Sequence, residues 1–130
     1  MFEASDVYVS YGKSRVINGM SVKIDKGEKI AILGRNGVGK TTFLKSIMGL
    51  LPVSEGKIIF DDKDITDMKT FRRSQAGLGY VPQGREIIPF LTVEENMELG
   101  AMGHKDVDVE SRKKWVLGYF PALNVHMKRN

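Results

Sequence analysis

The sequence predicts an α/β fold of the P-loop type, in which an N-terminal β lobe leads into a strand, a glycine loop and a helix in immediate succession. Three observations predict it. Residues 29–33, Lys-Ile-Ala-Ile-Leu, form a short apolar run between Gly27 and Gly34, which reads as a strand buried on both faces. Residues 34–42, Gly-Arg-Asn-Gly-Val-Gly-Lys-Thr-Thr, fit G-x-x-x-x-G-K-[ST]. Residues 42–48 follow with Phe43, Leu44, Ile47 and Met48 on one helical stripe.

The residue types of the loop carry its chemistry. Gly34, Gly37 and Gly39 allow positive φ and a close backbone approach to a ligand. Successive N–H groups then form a concave nest for phosphate oxygens, and the new helix points its positive end at the same place. Lys40 supplies a point charge for the β- and γ-phosphates, and the Thr41 hydroxyl is placed to ligate the bridging Mg²⁺. The plain alternative is a glycine turn entering an ordinary helix. The strand before and the helix after disfavour it.

The remaining elements follow in order. Phe2, Val7 and Val9, with polar residues between, predict a first strand over 2–9. Tyr11-Gly12-Lys13 reads as a turn, and residues 16–25 as a half-exposed strand. Lys26-Gly27 turns the chain into the run at 29–33. Gly49 with Pro52 stops the loop helix. Ser54-Glu55-Gly56 and Asp61-Asp62 read as turns around a strand at 57–60, and residues 65–76 as a short polar helix or loop with Arg72, Arg73 and Gln75. A strand at 78–81 ends at Pro82, and 83–90 has no period and reads as an exposed loop. Thr92 to Glu95 is a capping box opening a helix to about Gly100. After a linker at 103–108, residues 109–120 predict an amphipathic helix. Val109, Val116, Leu117 and Phe120 point inward, Arg112, Lys113 and Lys114 outward, and Pro121 ends it.

Composition excludes several classes. With no cysteine there is neither disulfide nor thiolate metal site, and His104 and His126 make no ligand pattern. No apolar run approaches the ~18 residues of a membrane span, and residues 1–4, with an early acid and no apolar h-region, are not expected to act as a signal peptide. The net charge of +4 is spread among acids in short clusters, which disfavours a nucleic-acid partner.

Taken together, the motifs resemble those of an ATP-binding-cassette (ABC) ATPase, over the whole chain. The matching residues are Tyr11, the loop at 34–42, Met48-Gly49-Leu50, Ser54-Glu55-Gly56, Gly79-Tyr80-Val81-Pro82-Gln83 and Leu91-Thr92-Val93-Glu94-Glu95-Asn96. The resemblance implies a nucleotide site of Tyr11, stacked on adenine, with Val16, Gly34, Arg35, Asn36, Gly37, Val38, Gly39, Lys40, Thr41 and Thr42. It also implies that Gln83 reaches the Mg²⁺ and the attacking water, making Thr41 and Gln83 the metal residues. Asp62 departs from the family's usual glycine, which costs little because aspartate tolerates turns.

The wording at 34–39 and 81–87 is similar to the importer class for branched-chain amino acids and urea or short amides, closest to the urea type. For that class the resemblance implies ATP and Mg²⁺ as cofactors, a second ATPase subunit in a homo- or heterodimer, and membrane permeases docked through the loop after Gln83. It also implies a cytoplasmic location on the inner face of the cell membrane. The expected layout is the N-terminal part of one ATPase domain: 1–33 a β lobe, 34–42 the phosphate loop, 43–91 the core continuation, and 92–130 the start of a helical subdomain. No apolar run in 100–130 ends in paired acids, and the family's Leu-Ser-Gly-Gly-Gln signature and switch histidine are absent. The chain is therefore expected to bind ATP with little turnover, and either to self-associate where apolar strands lack neighbours or to be part of a longer molecule. Competing readings are a soluble ABC-type protein of DNA repair, a GTPase or small-molecule kinase, and a non-catalytic nucleotide-binding module. Asn-Lys-x-Asp, which a guanine site needs, does not occur.

Overall fold

A computed structural model describes every residue except Arg85, Lys105, Asp106 and Asn130. The sequence readings at Arg85 and within the 103–108 linker therefore lie partly outside the described residues. The chain forms two compact units, Met1–Tyr80 and Val81–Asn130.

The first unit is an antiparallel sheet with a helix against it. Strands β1 (Phe2–Tyr11), β2 (Ser14–Ile24), β3 (Glu55–Phe60) and β4 (Lys63–Asp64) lie in the order β2-β1-β3-β4. Helices α1 (Lys40–Ile47) and α2 (Thr70–Gln75) complete the unit. Phe2, Ala4, Val7, Val9 and Ile17 bury one sheet face, together with Ile58 and Ile65, against Phe43 of α1. Along β1 the buried positions run 2, 4, then 7, 9, so the two-residue alternation slips by one. The slip is a bulge at Asp6, whose φ is 48° and whose amide donates to Ser21 Oγ at 2.8 Å. On the far side Gly56 of β3 takes φ 95°, and any Cβ there would overlap the Asp6 carbonyl. Ser54, Glu55 and Gly56 are thus not a free turn: Glu55 and Gly56 belong to β3 because this bulge must be matched across the ladder. Asp61 and Asp62, at φ 45° and 62°, make the two-residue turn from β3 into β4.

Two expected strands are absent. Residues 29–33 and 78–81 take no strand assignment, and Leu33 and Val81 are 88% and 90% exposed. Both runs are suited to burial on two faces. Among the described residues no neighbouring strand offers them hydrogen-bond partners, and a strand exists only as a paired element.

The second unit is helical: α3 (Val93–Leu99), α4 (Val109–Tyr119) and a 3₁₀ helix over Pro121–His126, which the sequence reading did not include. The Thr92 capping box is complete, with Thr92 Oγ1 accepting from the Glu95 amide and Glu95 accepting from the Thr92 amide at 2.7 Å. Two positions depart from the expected faces: Lys113 on α4 is buried, and Phe120, which follows the helix as its C-cap, is 61% exposed. Lys113 turns inward because Glu94 and Glu98 of α3 and Glu110 of α4 all meet its ammonium, at 2.8, 3.0 and 2.6 Å. The hydrogen bonds its ammonium donates to these carboxylates, Glu110 foremost, raise its pKa above the ordinary lysine value.

Candidate functional site

The glycine loop stands between the sheet and α1. Gly37 and Gly39 take φ 84° and 99°, conformations that side-chain-bearing residues rarely adopt. Gly34 does not take a positive φ, contrary to expectation. Its constraint is space, since a Cβ there would lie 3.1 Å from Val38 Cγ2. At Gly39 a Cβ would lie 2.6 Å from Ile17 Cδ1 and 3.4 Å from Val16 Cγ1. The end of the loop is therefore pressed against β2 at Val16 and Ile17. This places Val16 beside the loop and adds Ile17 as its floor, a residue the sequence reading did not single out.

Helix α1 opens at Gly39 with no side-chain cap. Its first turn contains no acidic residue. Among the described residues, no backbone carbonyl takes the amide hydrogens of residues 36–42. Unsatisfied N–H groups at a helix start, with the positive end of the dipole behind them, suit an anion. Lys40 folds back over the loop, its Nζ donating to the carbonyls of Gly34 at 2.6 Å and Arg35 at 2.7 Å. The same ammonium can release these carbonyls to meet phosphate oxygens. Thr41, next along the helix, is exposed and free to offer its hydroxyl to a cation held by those phosphates. Glycines that exclude a Cβ, open amides, a tethered lysine and a threonine hydroxyl fit a triphosphate with Mg²⁺.

The other predicted site residues are placed less fully. Tyr11 ends β1 opposite Ser14 and is 48% exposed, at the turn where Gly12 has φ 57°. Gln83 belongs to the second unit, exposed in a turn with Gly84 at φ 96°.

At its carbonyl end α1 is held by a residue whose burial the sequence did not reveal. Arg73 of α2 is 2% exposed. Its guanidinium donates to Ser46 O at 2.9 Å, Ile47 O at 2.6 Å, Met68 O at 2.7 Å and Thr66 O at 2.7 Å. Burial lowers its pKa, with Asp67 opposing that shift. The double-arginine pair Arg72-Arg73 looked like a solvated face because nothing local distinguishes the two; only Arg73 lies beneath α1.

An antiparallel β lobe carrying a glycine loop on a helix start defines a P-loop α/β fold of the nucleotide-binding-cassette class. Residues 17–128 match the ABC transporter family, and the chain belongs to that family. It is 43% identical over 118 residues to an uncharacterized ABC transporter ATP-binding protein of Rhizobium meliloti, covering 89% of this chain and 44% of that protein. It is 33% identical to a probable branched-chain amino acid transport ATP-binding protein, LivF, of Archaeoglobus fulgidus, covering 99% and 55%. It is 34% identical to the lipopolysaccharide export system ATP-binding protein LptB of Haemophilus influenzae, covering 98% and 53%. The chain thus spans about half the length of the curated relatives it matches. Among solved structures it superimposes on the ATP-binding cassette MJ1267 with a TM-score of 0.84 at 23% identity, over 100% of this chain and 57% of that one, a likeness of fold. It superimposes on the dimeric cassette MJ0796 bound to ADP and Pi with a TM-score of 0.79 at 25% identity, over 98% and 60%. Among the described residues no helix is long and apolar enough to cross a membrane.

Proposed function

We propose that this chain binds Mg-ATP through residues 34–42 and serves as the nucleotide-binding part of an ABC transporter ATPase. The observation that carries the reading is the start of α1: Gly37 and Gly39 with left-handed backbones, amides open to a ligand, and Lys40 bridging the Gly34 and Arg35 carbonyls. In this reading Tyr11 stacks on adenine, Val16 lines the site, and Arg35, Asn36, Val38 and Thr42 complete the loop. Thr41 and Gln83 attend the Mg²⁺. The parent subunit pairs with a second ATPase subunit, docks on permeases through the loop after Gln83, and lies against the inner face of the membrane.

The preferred transport reading is import of a small polar solute, a branched-chain amino acid or a urea-like amide. It is supported by the wording at 81–87 and by LivF at 33% identity. LptB, named for lipopolysaccharide export, stands at 34%, so identity does not separate the two directions.

Calorimetric titration of the 130-residue chain with Mg-ATP, Mg-GTP and Mg-tripolyphosphate tests the binding reading. Saturable binding of ATP and tripolyphosphate, with GTP no tighter than ATP, is expected. Absence of all three overturns it. Turnover is expected to stay at the level of a Lys40→Ala variant, because residues 100–130 provide no paired acids at a strand end to orient water. A Lys40-dependent steady-state rate would contradict that.

A further inference from the structure

Helix α1 has eight residues, about 12 Å, and a helix this short does not hold itself in water. Its position is set by what grips it. Phe43, fully buried, anchors its side to the sheet. Its carbonyl end is gripped by Arg73, which donates to Ser46 and Ile47 and, with the same fork, to Thr66 and Met68. Thr70 Oγ1 adds a bond to Gly49 O at 3.0 Å. Gly49 itself takes φ 71°, and a Cβ there would lie 2.8 Å from Arg73 Nε, so the chain leaves the helix directly over the guanidinium. A cation here also answers the partial negative charge of the helix end. No other charged type fits: lysine cannot spread donors to four carbonyls in a plane. At 2% exposure, with its fork committed to backbone carbonyls, Arg73 cannot reach a bound nucleotide.

We propose that Arg73 is a positioning residue for the glycine loop, setting the place of Lys40 and Thr41 by clamping the opposite end of α1 to residues 66–68. The inference rests on the reading of residues 34–42 as a triphosphate site, and predicts that the phosphate part of binding, not the adenine part, depends on Arg73.

The test compares the wild-type chain with Arg73→Lys, which keeps the charge and loses the fork. Hydrogen exchange and calorimetric titration with Mg-ATP and Mg-tripolyphosphate are measured well below the melting temperature. The variant is expected to keep wild-type protection in β1 and β3. The α1 amides at 44–47 should exchange about tenfold faster, and both ligands should weaken by one common factor of about ten, the worth of one or two charge-assisted hydrogen bonds. If α1 loosens while tripolyphosphate binds as in wild type, Arg73 is structural only and the positioning role is overturned. Unchanged exchange and unchanged affinity overturn it as well. Should Arg73→Lys fail to fold, Thr70→Val decides: a loss of about twofold in both ligands is expected from one neutral hydrogen bond, and none overturns the proposal. If the wild-type chain binds neither ligand, the triphosphate reading itself fails, an outcome distinct from a wild type that binds and a variant that binds equally well.

Discussion

Gly39 shows how tightly a single position is constrained. Its φ of 99° and the 2.6 Å separation of a built Cβ from Ile17 Cδ1 leave no room for a side chain. Gly39→Ala should cost about 1–3 kcal/mol of stability from backbone strain and also weaken Mg-ATP, with thermal melting and titration as the readouts. A variant that melts and binds as wild type would show that the loop relaxes freely. Tyr11 is constrained differently. Half exposed at the end of β1, it has its phenol to offer and little to lose in packing. Tyr11→Ala should weaken ATP by about 1–3 kcal/mol, the worth of one aromatic–base stack, and leave tripolyphosphate binding unchanged. Equal losses for both ligands would exclude stacking.

Elements announced by local chemistry were legible in the sequence. The capping box at Thr92 and the glycine stop at Gly49 depend on residues within one or two turns, and both stand in the structure; of the apolar stripe on α1, Phe43 and Met48 are buried while Leu44 is 44% exposed. What could not be read depends on distant partners. Arg73 and Lys113 each sit in a basic pair or triplet that looks solvated. Each is buried because carbonyls or carboxylates from another element converge on it. The bulge at Asp6 did leave a signal, the slip from even to odd apolar positions after Ala4.

Two predictions belong to this scale. Lys113→Met should leave Glu94, Glu98 and Glu110 repelling one another and lower the stability of the second unit. Unchanged melting of the α3 and α4 amides in hydrogen exchange would refute this. Acid should act on the same helices through their caps. The Thr92 amide and hydroxyl hold Glu95 below its ordinary value, and the Ser111 hydroxyl and amide do so for Asp108. A depressed folded pKa means that the stabilisation is complete above the unfolded value, about 4, and is lost as pH falls through the lower folded one. Helicity should therefore hold from neutral pH to about 5 and decline below 4. In the Thr92→Ala, Ser111→Ala variant that acid-dependent part should shrink, because the two hydroxyl donors are lost while the Thr92 and Ser111 amides still donate, and an identical acid profile would contradict the assignment.

At the scale of the whole molecule, the family and the loop were legible, and two strands that the sequence predicts did not form. Local sequence shows that residues 29–33 are suited to a doubly covered strand, but pairing is a property of neighbours. Here the run lies open. Ile30 is 45% exposed, and an apolar hollow of about 400 Å³ beside α1 is lined by Phe2, Val22, Ile24, Ile30, Ile32 and Leu44. Unpaired apolar backbone of this kind invites a second chain. The 130-residue chain is expected to self-associate with rising concentration in light scattering. A monodisperse, cooperatively melting monomer would contradict this.

The central claim is that residues 34–42 are a triphosphate site whose charge is supplied by Lys40. Lys40 takes no part in the buried core, so its removal should spare the fold. Calorimetric titration of Lys40→Ala with Mg-ATP, beside a circular dichroism melt, tests the claim most directly. A wild-type melt with binding lost is the predicted result; a folded variant that binds Mg-ATP as tightly as wild type would contradict it.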